Sequence, residues 1–283
     1  MFIIIGAVVV LSAIVMGFLM GGGNLILLVQ IPEFITIGGA ALGSLIVMLP
    51  LPMLKKVIAA VVKALSAKQD SKEDNMKLLK VLYDLFLLAQ RDGLLAIEKH
   101  IEDPAASDIL STNQKLLKNS VATTFLTDTL KVMLSGGVPP HEIEELMDTE
   151  IETFESETEP LGEIISHFAE SFPAFGIVAA VLGIILTMAS IDKGAEVVGE
   201  HVAAALVGTF LGILLAYGFV GPVGKNISIM YEEETRYLKT IKAAVVAYAK
   251  GNPPVVAAEI ARRTLVSDAR PTFSELENFL RGK

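Results

Sequence analysis

Hydrophobic residues in this chain gather into four long uncharged runs, and polar residues fill the segments between them. The first run, MFIIIGAVVVLSAIVMGFLM, opens the chain and is closed by Gly21-Gly22-Gly23; Met1 to Pro32 carries no charged side chain. After a short link ending in Pro32-Glu33, a second uncharged run extends from Phe34 to Leu54. The third and fourth, SFPAFGIVAAVLGIILTMASI (171–191) and VAAALVGTFLGILLAYGFVGPVG (202–224), are separated by the charged link Asp192 to His201. At about 1.5 Å per helical residue, each run can cross a hydrocarbon core of about 30 Å. The first lacks a basic leader and is too long for a secretion signal, so it is read as a retained helix. The last two predict a transmembrane hairpin.

Small residues recur inside that hairpin. Gly208, Gly212 and Ala216 stand every fourth residue on one side of the last helix, and Gly176, Ala180 and Gly183 give its partner a similar strip. Such strips let helices approach closely in lipid, where packing must replace a hydrophobic driving force. Gly38, Gly39, Ala41 and Gly43 point the same way in the second run. Pro173 and Pro222 sit toward one membrane side, at the start of the third run and the end of the fourth. A proline removes a backbone donor and kinks a helix, so the pair marks either a hinge or two helix termini. Thr209 and Tyr217 are the main hydroxyls deep in the last run. A threonine there bonds its own backbone or faces a polar path.

Between the second and third runs lies a polar block, Lys55 to Glu170, with helical spacing in Leu78, Val81, Leu82, Leu85 and Leu88. Gly93, Pro104, Gly136-Gly137 and Pro139-Pro140 divide it into helices of ordinary length, and no run alternates as a strand would. Nine acids between Glu142 and Glu159, interleaved with Ile143, Leu146, Met147, Ile151 and Phe154, read as the solvated face of a helix. Arg91 and Glu98 would share a face if one helix continued through Gly93. After Pro222, residues 225–250 predict an amphipathic helix broken by Gly251-Asn252-Pro253-Pro254. Two short segments follow, the second opened by a Thr272–Glu275 capping box, and this tail is expected to fold back on the polar block.

Composition narrows the function. Of 283 residues 52% are hydrophobic and only 19% charged, and the charges are segregated. With no cysteine there is no disulfide or thiolate chemistry. A net charge of −9 argues against a nucleic-acid partner. His100, His141, His167 and His201 are scattered without the i,i+4 spacing of a helical metal site, so they read as surface or satisfied histidines. No Ser-His-Asp grouping or nucleotide loop is present, and the chain is not read as an enzyme. Lys55, Lys56, Lys63 and Lys68 follow the second run, whereas the links at 21–33 and 192–201 hold one basic residue, Lys193. Basic residues concentrate on the cytoplasmic side, which places both termini and the polar block inside. The expected architecture is an all-α membrane protein. Spans 1 and 2 lie in 1–54, a cytoplasmic helical domain in 55–170, spans 3 and 4 in 171–224 and cytoplasmic C-terminal helices in 225–283.

In this order the segments SFPAFGIVAAVLG, HVAAALVGTFLGILLAYGFVGP, IEELMDTEIETFESE and RPTFSELE resemble the motility protein A family, subunits of the bacterial flagellar stator, over essentially the whole chain. The resemblance implies a multi-pass protein of the bacterial inner membrane that conducts H+ or Na+ and uses no cofactor. It implies a pentameric ring around two copies of a MotB-type single-span partner carrying a membrane aspartate, and contact with the rotor switch protein FliG. Pro173 and Pro222 match the prolines that couple ion passage to conformational change. Thr209 and Ala180 match positions lining the ion path, with Tyr217 further along the same helix as Thr209. Arg91, Glu98 and Glu150 match rotor-contacting charges. The family's sodium forms place threonines along the path, so the apolar Ala180 favours protons while Thr187 keeps sodium open. An ion path needs an ionisable group within the membrane; the four runs hold none, so the acid is expected from the partner. An ExbB- or TolQ-type energiser is the nearest rival, and a membrane scaffold or transporter subunit without a torque role is another.

Overall fold

The computed structural model describes residues 2–66 and 71–282, so Lys68 lies outside the described residues. Among these, all regular structure is helical. The α-helices in chain order are α1 (Phe2–Met20), α2 (Ile31–Met48), α3 (Leu51–Ser66), α4 (Lys72–Asp92), α5 (Glu98–Glu102) and α6 (Gln114–Lys118). Then come α7 (Ser120–Ser135), α8 (Pro140–Met188), α9 (Ala195–Ile213), α10 (Gly221–Ala249), α11 (Pro254–Arg262) and α12 (Phe273–Leu280). They form two compact units: Met1–Lys68 with Thr158–Met230, and Gln69–Glu157 with Tyr231–Lys283. Four helical stretches are long and apolar enough to span a membrane: α1, Leu25–Met48, and stretches within Pro140–Met188 and Ala195–Ala249.

In the first unit, α1 buries none of its residues; its apolar surface is the kind that lipid covers. Helix α2 buries one four-residue stripe, Glu33, Ile37, Ala41 and Leu45, and packs on α9. The helix begins at Ile31, before the expected Phe34. Pro32 sits in its first turn, where a missing N–H costs nothing because that N–H has no intrahelical acceptor. It ends at Met48 rather than running on to Leu54. Leu49, held extended ahead of Pro50, breaks it, and α3 starts at Leu51.

The third span is not a separate helix. Helix α8 runs unbroken for 49 residues through the acidic segment and the apolar run, with Pro160 and Pro173 inside it. On its other side, helical backbone persists from Ala195 to Ala249, its middle turn, Leu214–Val220, widened into a π-helix. The choice between hinge and terminus at Pro173 is thereby narrowed: the proline is interior to a helix.

The second unit has α4 at its centre. Leu78, Leu79, Val81, Leu82, Leu85 and Phe86 are fully buried, and α11 and α12 pack against it. The ring of Phe86 stacks on Tyr248 of α10 at 4.5 Å between centroids. A Ser71–Asp74 capping box starts α4, and Gly93, at φ +88°, stops it in a conformation that disfavours other residues. The expected Thr272–Glu275 box caps α12, and Lys72 Nζ donates to Glu275 Oε1 at 2.7 Å, tying that helix to the start of α4. The tail therefore does fold back on α4. The acidic part of α8 buries Ile143, Met147 and Ile151, but it is not wholly a solvated face. Asp148 and Glu155 pair with Lys242 and Lys239 of α10, and Glu144 with Lys250 just beyond its end. These acids therefore lie beside the buried stripe and face the chain packed against it. His100 is buried and satisfied, with Nδ1 2.9 Å from Ser107 Oγ; burial holds its pKa below the ordinary histidine value.

Candidate functional site

Helix α8 packs very closely on α9 in the first unit, and the sequence basis is the absence of side chains. A methyl group on Gly176 would stand 3.0 Å from the Gly208 carbonyl oxygen, and one on Gly212 would stand 2.5 Å from the Phe172 carbonyl oxygen. At Gly183 the added atom would meet Ala205 Cβ at 2.7 Å. The helices run antiparallel with backbones nearly touching, as small-residue strips permit. The strip on α8 runs through Phe172, Gly176, Ala179 and Gly183. Ala179, 1% exposed, faces Gly208, whereas the expected Ala180 is half-buried beside the closest approach. Helix α8 also packs closely on α10 at Gly162 and Gly224, each glycine lying under the other helix's serine, Ser228 and Ser166.

Both prolines border this contact. Pro173 follows Phe172 inside α8 and has no N–H to offer the carbonyl of Ala169. Ala169 in turn lies beside Gly221, the residue before Pro222. There the backbone widens: the Gly221 N–H donates to the carbonyl of Ala216, five residues back. A π turn is a local answer to a proline that would clash with the carbonyl four residues before it, here that of Gly218. Gly218 itself is packed between Leu214 and Val10 of α1. On the isolated chain Pro222 and Tyr217 are exposed and Thr209 is half-buried, so these groups lie on surface left open to another chain or to lipid. Thr187 is buried and donates to the Gly183 carbonyl at 2.8 Å, the backbone-bonded state of a membrane threonine.

The second candidate span, Leu25–Met48, holds one ionisable group that the sequence reading assigned to the link before it. Glu33 lies in the first turn of α2, only 8% exposed, and its Oε2 finds no hydrogen-bond partner among the described residues. That oxygen points at Gly208 of α9; a methyl there would sit 2.7 Å from it. The sequence held the signal, because Glu33, Ile37, Ala41 and Leu45 share one helical stripe. Placing Glu33 in the link concealed it. His201 likewise departs from the expected satisfied state: its Nδ1 is buried without a partner.

In the second unit, Arg91 and Glu98 flank the Gly93 break. One helix does not continue between them: Arg91 lies in the last turn of α4, a 3-10 turn follows at Leu94–Ile97, and Glu98 begins α5. Both are exposed. Arg91 is held by its neighbour, Nε and Nη2 donating to Asp92 at 2.9 and 2.6 Å, which raises the guanidinium and lowers the Asp92 carboxyl from their ordinary values. Glu150 stands apart on α8, half-buried in an acidic groove with His141, Glu142, Glu145, Leu146 and Thr149. Burial, and then the nearby charge of Asp128, raise its pKa. No group of three metal-ligating side chains occurs among the described residues.

Residues 4–93 match the description Motility protein A N-terminal, and residues 117–240 match the MotA/TolQ/ExbB proton channel family. Motility protein A of Salmonella typhimurium is 38% identical over 281 residues, spanning 99% of this chain and 95% of the relative. The fold is that of the solved MotAB structure from C. jejuni, with TM-score 0.79 and 21% identity over 94% of this chain and 96% of the other. The flagellar MotAB stator complex from Bacillus subtilis gives 0.74 and 21% over 93% and 94%.

Proposed function

The chain belongs to the motility protein A family, and from that premise we propose that it is the ring-forming stator subunit of a bacterial flagellar motor, converting ion-motive force into torque. The observation that carries this reading is the full-length kinship with a motility protein A, covering 99% of this chain. The match of residues 4–93 to the motility-protein N-terminal description separates it from an ExbB- or TolQ-type energiser, which shares only the broader channel family. The work is transport and mechanical coupling, not catalysis.

In this reading the chain is a multi-pass inner-membrane protein with both ends inside, as the cluster Lys55, Lys56 and Lys63 against the single Lys193 supports. Five copies surround two copies of a MotB-type partner, whose single span brings the ion-binding aspartate. Ions cross between that span and the α8–α9 pair, past Thr209, Ala180 and Tyr217; the apolar Ala180 favours protons. Neutralising the partner's acid changes its packing against the helices bearing Pro173 and Pro222. The proline inside α8 and the widened turn before Pro222 are the places where helical hydrogen bonding is already incomplete. Each charge moved through 100 mV supplies about 2.3 kcal/mol, so a few ions suffice for a step. Arg91 and Glu98, exposed around Gly93, and Glu150 on α8 pass the motion to charges on the rotor protein FliG.

The test is a charge exchange. Arg91→Glu should abolish or sharply reduce torque, and reversing one rotor acid to lysine should restore it. Undiminished torque in Arg91→Glu would refute the rotor contact.

A further inference from the structure

We infer that Glu33 is a proton-binding site of this chain, taking up one proton at Oε2 and releasing it, and so supplying the ion path with an acid additional to the partner's. The inference rests on the proposed stator reading for its use but not for its chemistry. Glu33 is 8% exposed, and Oε2 has no hydrogen-bond partner among the described residues. An isolated carboxylate in apolar surroundings is costly, so such a group neutralises or finds a cation. On the α9 side it meets Gly208, which presents no side chain, and Ala179 Cβ stands against the same glycine. A bound metal cation wants several oxygen ligands, and a proton wants one. The site therefore fits a proton.

A second orphaned atom extends the argument. His201 lies seven residues before Gly208, which on a helix is about two turns, roughly 10 Å along the same face. Its buried Nδ1 is also without a partner. Helix α9 packs on both α2 and the 3-10 turn Leu25–Leu28, so two unsatisfied, titratable groups lie along α9 in succession from its beginning inward, its own His201 and then Glu33 of α2 against Gly208. Thr209 follows Gly208 directly. The remaining charged groups of α9 are Glu196 and Glu200, both exposed. The rest of α2, the 3-10 turn and the α8 stretch around Ala179 carry none. Glu33 is the acid at the inner end of this series, at the end of the spans opposite Pro222. In the proposed orientation that is the entry side.

A carbodiimide tests the site chemically, since it adds to a protonated carboxyl buried in an apolar setting without a leaving group. The assembled complex in native membranes, treated with dicyclohexylcarbodiimide over a pH series, should carry the adduct on the Glu33 peptide, decreasing as pH rises. Absence of the adduct at every pH, with labelling of Glu33 once the protein is denatured, overturns the inference. Protection by sodium chloride at constant ionic strength overturns the proton assignment in favour of sodium. In motors, Glu33→Gln should assemble normally, turn at least about tenfold more slowly and lose the wild-type dependence on external pH, and Glu33→Asp should recover that dependence. A wild-type pH profile in Glu33→Gln overturns the inference while leaving the stator reading intact. Motors that turn without this gene would instead remove the stator reading and leave the adduct unaffected.

Discussion

Gly212 shows how little latitude single positions have in the span contact. Its alanine variant would press a methyl against the Phe172 backbone, which cannot swing aside as a side chain tip can. Gly212→Ala should therefore abolish recovery of an assembled ring from membranes, whereas alanine at Gly199, which meets nothing within 4 Å, should be silent; size-exclusion profiles of the solubilised complexes compare them. In the polar unit, Leu85→Ala removes a fully buried side chain and should destabilise by about 2–5 kcal/mol, visible as a lowered midpoint for that unit's unfolding in detergent. Residue-level reading from sequence succeeded where one constraint acts alone. The glycines of the α8–α9 strip were legible because only small residues allow that approach. That Ala179 faces Gly208 was not legible, because spacing among several small residues does not choose between neighbours. Glu33 was missed because Pro32 looked like the end of a link, although proline suits a first helical turn equally well.

Helix α12 depends on a few polar contacts. The hydrogen bond from Lys72, and after it the Thr272 backbone N–H and hydroxyl, hold the Glu275 carboxyl down to about 2, against 4.5 in an unfolded chain. A depressed carboxyl stabilises the folded state fully above the unfolded value and loses that contribution as pH falls through the folded one. Docking of the tail should thus weaken between about pH 4.5 and 2, read as faster amide exchange in α12, and Glu275→Gln should abolish that pH dependence. Thr272→Ala removes the cap and should cost about 1 kcal/mol. This helix was legible in advance because its capping pair is local. The course of α8 was not: composition changes from acidic to apolar near Ser171 while the backbone simply continues. At Pro173 the alanine variant would restore an N–H able to reach the Ala169 carbonyl. The account predicts an assembled ring with torque reduced by at least about tenfold; unchanged torque would remove Pro173 from the coupling.

At the scale of the molecule, segregation of charge made four spans visible, and the relatives agree in fold over nearly the whole chain. Tyr217 and Pro222 were singled out in the sequence, but their exposure on one copy was not legible there, because burial depends on how the helices pack. The central claim is that this chain, with a one-span partner bearing a membrane acid, drives rotation. It is tested most directly by deleting the gene in its host and tethering cells by a flagellum. The account predicts filaments that assemble but stand still, that turn again when the gene and its partner are returned together, and that stop when the ion-motive force is collapsed. Undisturbed rotation after deletion, or rotation restored by this chain without any such partner, would contradict it.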